Sequence, residues 1–213
     1  MEKVLQIVGL GFGAVDAYWG DDDPNLSTWG INNAYIYGKL DKLFVMHDAK
    51  QTIKSSYLVG RDKISFKDAF EKYPDMEAIA LNDFLYVYNI EKQQYGTAPA
   101  DKLETLEKDP NYKILTKTIK FPIGEATKLM GSADYSSTVA YMFALAILEK
   151  FDRIRLYGFE VWSRISHEYE FEAPCIERWQ KLAKGHGINT DISFDVIPTI
   201  KQENNLYGYV VKE

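Results

Sequence analysis

Residues 139–148, Val-Ala-Tyr-Met-Phe-Ala-Leu-Ala-Ile-Leu, carry one phenolic hydroxyl and no other polar side chain. Ser136, Ser137 and Thr138 offer capping hydroxyls before the run, and Glu149-Lys150 closes it. This pattern predicts a helix over 138–149 that is apolar on every side. Such a helix has no face to give to water, so it must lie between a sheet and further helices. It is too short for a membrane span, which takes about 20 apolar residues.

The sheet it needs is written in short runs. Val4–Val8, Ser27–Ile31, Leu43–Met46 and Ala78–Leu81 are apolar, rich in β-branched or aromatic residues, and end at glycine, asparagine or a His-Asp pair. Buried strands of a parallel sheet read this way. Residues 153–157 form a further strand after the apolar helix. A short helix is expected over 65–73, opened by Ser65-x-x-Asp68. Pro174–Lys184 predicts a helix with proline in its first turn and Gly185 and Gly187 past its end. A tyrosine-rich loop precedes that helix up to Phe171, and Asp191–Ile197 reads as a last strand. The alternation predicts an α/β fold: a three-layer, Rossmann-like domain over 1–213, with a mostly parallel sheet and helices on both faces. Residues 84–130 break the rhythm and read as an irregular insertion, with a helical segment at 101–108 and a strand at 112–118.

Charge and cysteine content narrow the function classes. With 25 Lys+Arg against 31 Asp+Glu the net charge is −6, which gives no electrostatic basis for binding duplex nucleic acid. The single cysteine, Cys175, excludes an internal disulfide framework and a cysteine-based zinc cluster, and reads as a packing residue. The opening Met-Glu-Lys-Val-Leu-Gln-Ile-Val runs straight into a strand rather than a signal peptide. Together these predict a cytoplasmic protein with no membrane span.

Gly9-Leu10-Gly11-Phe12-Gly13-Ala14 follows the first strand and fits G-x-G-x-x-A. Three readings stay open: a turn that lets the chain leave the sheet, a nucleotide site, or an NAD fingerprint. Against NAD, Gly20-Asp21-Asp22-Asp23-Pro24 cuts the following helix short, and the second strand ends in Asn32-Asn33 rather than a ribose-gripping acid. Ligands of open α/β sheets bind over the carboxyl ends of strands. Asn32, Asn33, His47, Asp48, Asn82 and Asp83 all stand at such ends, and a carboxamide both donates to and accepts from a base edge. The plainer alternative is that asparagine and aspartate simply end strands.

These residues, together with Ser137-Thr138 opening a small-residue helix and Gly158-Phe159-Glu160 ending a strand, resemble the small bacterial sialyltransferases that use CMP-sialic acid and the related flagellin-glycosylation accessory proteins. Trp29-Gly30-Ile31-Asn32 and Phe44-x-x-His47-Asp48 are also similar to uncharacterised phage-encoded proteins. The matched stretches are about 3–48 and 131–188. Leu10, Phe12 and Gly13 stand where the family has asparagine, proline and serine. The resemblance implies a nucleotide-activated sugar as donor substrate, with no cofactor and no metal, and transfer of the sugar to a hydroxyl acceptor. By the same resemblance Gly9, Gly11 and Gly13 approach the phosphate or ribose, Asn32 reaches the nucleotide, and Ser137 and Thr138 bond a phosphate or base. His167, the only histidine in the loop after the Gly-x-acid strand end, takes the place of the catalytic base. Asn33, His47, Asp48 and Tyr169 complete the candidate ligand set. A non-catalytic nucleotide-binding module and an NAD-dependent enzyme are the alternatives.

A histidine titrating near 6.5 suits the deprotonation of a hydroxyl. Of the three histidines, His186 lies in Gly185-His186-Gly187 and reads as a helix-end residue. A metal set from His47, Asp48, His167 and Glu168 lacks the spacing of known ligand motifs.

Overall fold

The computed structural model describes residues 1–20, 23–46, 66–130, 135–159 and 168–192. In chain order the strands are β1 (Val4–Val8), β2 (Leu26–Ile31), β3 (Lys42–Phe44), β4 (Glu77–Ala80), β5 (Phe84–Asn89), β6 (Gln94–Pro99), β7 (Tyr112–Lys120), β8 (Arg153–Tyr157) and β9 (Asn189–Ile192). The α-helices are α1 (Phe66–Lys72), α2 (Leu103–Glu107), α3 (Ile123–Met130), α4 (Thr138–Leu148) and α5 (Glu168–Gly185). The strands form one sheet in the order β6-β5-β7-β4-β3-β2-β1-β8-β9. From β7 through β9 every pairing is parallel, and only β5 pairs antiparallel, with β6 and β7.

Alternation along β1 sets the two faces, because successive side chains of a strand point to opposite sides. Leu5 and Ile7 enter a core with Trp29, Phe44, nearly all of α4, and Cys175, Ile176, Trp179 and Ala183 of α5. Val8 enters a second core on the other face with Ala14, Ala17, Ala34, Tyr35, Leu43, Phe66 and Phe70. Ten successive residues of α4, Thr138 to Ile147, are buried, as its all-round apolar sequence requires.

Helix α5 begins at Glu168, six residues before the expected start, so Pro174 lies inside it rather than in its first turn. An interior proline lacks an N–H and costs about 3 kcal/mol; the burial of Cys175, Ile176, Trp179 and Ala183 against α4 offsets it. The last strand begins at Asn189, two residues early. Residues 84–130 carry three strands, and β7 lies in the sheet as the parallel neighbour of β4. Ser65 and residues 193–197 lie outside the described residues.

Gln6 is 1% exposed on the second face of β1. Its Nε2 donates to the Tyr18 carbonyl at 2.5 Å and to Thr28 Oγ1 at 2.6 Å, while its Oε1 accepts from the Tyr18 N–H at 3.1 Å. One carboxamide thus clasps both backbone groups of Tyr18 and holds the segment after the glycine loop against the sheet. Gln6→Leu fills the space but leaves buried partners unmet, so it should cost about 2 kcal/mol. Thermal unfolding should show a drop of roughly 6 °C; an unchanged midpoint would refute the clasp.

Two buried tyrosines give the fold an alkaline limit. Burial raises the Tyr35 hydroxyl from 10.0 to about 12, with Tyr95 and Asp68 adding to the effect. Burial likewise raises Tyr135 to about 12. The unfolded chain releases these protons near pH 10 and the folded chain does not. Their contribution is therefore complete below pH 10 and lost between about 10 and 12, at up to about 1.4 kcal/mol per pH unit for each tyrosine. Denaturant midpoints measured from pH 9 to 11 should fall, and the fall should flatten in the Tyr35→Phe, Tyr135→Phe double variant.

Candidate functional site

Strand order reverses at β1. The chain leaves β1 toward β2 across the second face, through a 3-10 turn at Phe12–Asp16, and leaves β8 toward β9 through α5 on the first face. Where two neighbouring parallel strands send their connections to opposite faces, a crevice opens over their carboxyl ends.

Two glycines bring the backbones together there. The Gly9 N–H donates to the Tyr157 carbonyl and the Gly11 N–H to the Gly158 carbonyl, each at 2.8 Å. A Cβ on Gly9 would stand 2.3 Å from the Gly158 oxygen. Gly158 has φ +72°, and its own Cβ would stand 2.9 Å from that of Ala14. Both N–H groups are therefore spent on the end of β8 and the residue after it. The loop also opens a five-residue 3-10 turn rather than an α-helix. A dinucleotide fingerprint needs free N–H donors and a helix N-terminus for the pyrophosphate. What the glycines provide here is close backbone packing between the ends of β1 and β8.

The end of β2 is the second wall. Asn32 has φ +49°, the left-handed region that asparagine tolerates better than most residues. Asn33 is buried, and its Oδ1 accepts from the Tyr35 hydroxyl at 3.3 Å. Tyr37 reaches back across the gap, its hydroxyl donating to the Leu10 carbonyl at 3.2 Å.

Helix α4 supplies the third element. Its last turn is held at the amino ends of the strands: Lys3 Nζ donates to the Glu149 carbonyl at 3.0 Å, and Lys42 Nζ lies 3.4 Å from the Glu149 carboxylate. Burial pulls the Lys42 pKa down, but Glu77 and Glu149 outweigh it and hold it above its ordinary value. The helix runs antiparallel to the strands, so Ser137 and Thr138 lie at the same sheet edge as the glycine loop. The loop's exit turn packs on the opposite face. Both residues are buried, and Ser137 Oγ accepts from the Val139 N–H at 3.2 Å, serving its own helix as N-cap.

Of the other expected residues, Gly13 lies in the 3-10 turn and is half-buried. Asn82 and Asp83 are exposed in the turn after β4, which Thr118 ties down through hydrogen bonds to Asn82 and Phe84. Tyr169 belongs to the first turn of α5, with its side chain outside the description. His47, Asp48, Glu160 and His167 lie outside the described residues. Among the described residues no group of three or more His, Cys, Asp or Glu could hold a metal ion, and no helix is long and apolar enough to cross a membrane. A groove of about 570 Å³ lies at the other edge, by the amino ends of β1 and β2, lined by Glu2, Val4, Tyr18, Asn25, Leu26 and Arg155 among others. Topology favours the carboxyl edge over this groove, because connections diverge only there.

No protein-family model matches the chain, and no curated protein matches it. Among solved structures it is similar to the sialyltransferase CstII from Campylobacter jejuni in complex with cytidine-5'-monophosphate, at 14% identity, covering 89% of this chain and 79% of that one, with a TM-score of 0.47. It is similar to the same enzyme in complex with CMP-3FNeuAc at 13% identity, with the same coverage and a TM-score of 0.48. A Cst-II variant in complex with CMP matches at 14% identity over 90% of this chain and 81% of that one, with a TM-score of 0.35. None of these three is a phage-encoded protein. A likeness this distant assigns neither ligand nor activity, and what the chain itself presents is a glycine loop packed on the neighbouring strand end at the reversal point of an α/β sheet.

Proposed function

We propose that the crevice over the carboxyl ends of β1, β2 and β8 binds a nucleotide-activated sugar of the CMP type, and that the protein transfers the sugar to a hydroxyl acceptor. The observation that supports this reading is the reversal of strand order at β1, where the partly exposed Gly11 and Gly13 bring side-chain-free backbone to the carboxyl ends of the strands. Gly11 and Gly13 contribute that surface, while the buried Gly9 packs the start of the loop against Gly158. Asn32 and Asn33 stand at the end of β2, and with His47 and Asp48 they are the residues assigned to contact the nucleotide. Ser137 and Thr138 bring the amino end of an eleven-residue helix to the phosphate, where its dipole favours negative charge. Tyr169 contacts the ligand from α5. His167 takes the acceptor hydroxyl's proton as that oxygen attacks the anomeric carbon, and the bond to the phosphate breaks with its electron pair leaving on the nucleotide. The reading calls for no metal, because hydroxyls and the helix end meet the leaving charge.

The test is a thermal-shift panel of CMP, a CMP-sugar, UDP-sugars and NAD. A ligand at a hundred times its dissociation constant stabilises by about 2.7 kcal/mol, roughly 5–11 °C for a chain of this size. CMP and the CMP-sugar should produce that shift. A response to NAD alone, or to none of the panel, would refute the reading, and binding without slow hydrolysis of the CMP-sugar would reduce it to a nucleotide-binding module.

A further inference from the structure

We propose that Tyr37 is a positioning residue that latches the glycine loop to the loop after β2 and so sets the width of the crevice; its effect on ligand rests on the nucleotide reading. The span from Leu10 to Trp19 has little core of its own. Ala14 and Ala17 are buried, whereas Leu10 is 42% exposed and Val15 66%. Polar pins therefore hold it. Gly9 and Gly11 fasten its start to β8, and the Gln6 carboxamide clasps Tyr18 at its end. Between them the Tyr37 hydroxyl, 27 positions from Leu10, donates to the Leu10 carbonyl at 3.2 Å. The Tyr37 ring is held in turn: it stacks on Trp19 with centroids 6.3 Å apart and planes 27° apart. Trp19 itself lies so close over Gly38 that a Cβ there would come within 2.2 Å of its ring. Tyr37 thus bonds the loop after β1 from the loop after β2, the two walls assigned to the nucleotide.

Tyr37→Phe keeps the ring and removes only the latch. In the unliganded protein, amide exchange in the 10–14 segment should rise about fivefold, the worth of one hydrogen bond, while amides of α4 stay unchanged. The dissociation constant for CMP, measured by calorimetry, should rise by a similar factor. Gly38→Ala, which displaces Trp19 from outside the hydrogen bond, should move both readouts in the same direction. Unchanged loop exchange in both variants overturns the latch, and raised exchange with an unchanged dissociation constant overturns the positioning role. If the wild-type protein binds neither CMP nor a CMP-sugar, the nucleotide reading fails on its own. The latch is then judged by exchange alone, where a rise supports it and no rise overturns it.

Discussion

Alanine at position 9 should destabilise the protein by about 3 kcal/mol, more than most single substitutions do. The added methyl would sit 2.3 Å from the Gly158 carbonyl oxygen and 3.2 Å from the Phe159 ring. The ring can turn away, but the carbonyl is backbone and already accepts from the Gly11 N–H at 2.8 Å. Moving it lengthens that bond and pulls on Gly158, whose left-handed backbone is fitted against Ala14. Overpacking and a lost hydrogen bond therefore add in the same direction. Gly124 is the control: it lies in α3 with nothing within 4 Å of a built Cβ. Gly124→Ala should raise stability by about 0.5–1 kcal/mol, because alanine loses less backbone entropy in a helix. Urea unfolding of the two variants should give midpoints shifted in opposite directions. A Gly9→Ala protein as stable as the parent would mean that the two strand ends are not pressed together.

His167→Ala should lower sugar transfer by about 10² to 10⁴, the usual worth of a positioned base, and leave the CMP dissociation constant within a few-fold. Position 167 directly precedes α5, whose Gly185 end lies at the amino edge, since Asn189 N–H, four residues on, donates to the Asp152 carbonyl at 2.9 Å. The Glu168 end of that helix is therefore at the carboxyl edge, with the crevice. A base must be neutral to accept a proton, so the wild-type rate should rise with pH as the base loses its proton, and the variant's residual rate should not. Equal losses in binding and rate would make His167 a ligand contact. No loss in either would remove it from the site.

The elements legible in the sequence were those whose own residues specify burial. Helix α4 follows from ten apolar positions in a row, and β1 to β4 from short apolar runs with polar ends; the structure has all of them within a residue or two. Boundaries slipped where pairing outlasted pattern, as at β9, or where packing overrode a local signal, as when α5 ran through Pro174. Strand β6 is the clearest miss. Gln-Tyr-Gly-Thr-Ala-Pro has no alternation, and it is extended because β5 pairs with it residue for residue, from Phe84↔Pro99 to Asn89↔Gln94.

The candidate site divides the same way. Gly9, Gly11, Asn32 and Ser137 are visible in the sequence because glycine, asparagine and serine mark the places where strands end and helices begin. Which of those ends meet was decided only by the tertiary structure: it set β8 beside β1, turned their connections to opposite faces, and spent the Gly9 and Gly11 N–H groups on Tyr157 and Gly158. Gln6 reads locally as an ordinary strand residue and becomes the clasp on Tyr18 only once the sheet is assembled. The physical reason is range. Burial periodicity and turn chemistry act over a few neighbouring residues and are written along the chain, whereas the partner of a hydrogen bond across 148 positions (Gly9 to Tyr157) or 149 (Lys3 to Asp152) is chosen by which strands pack together.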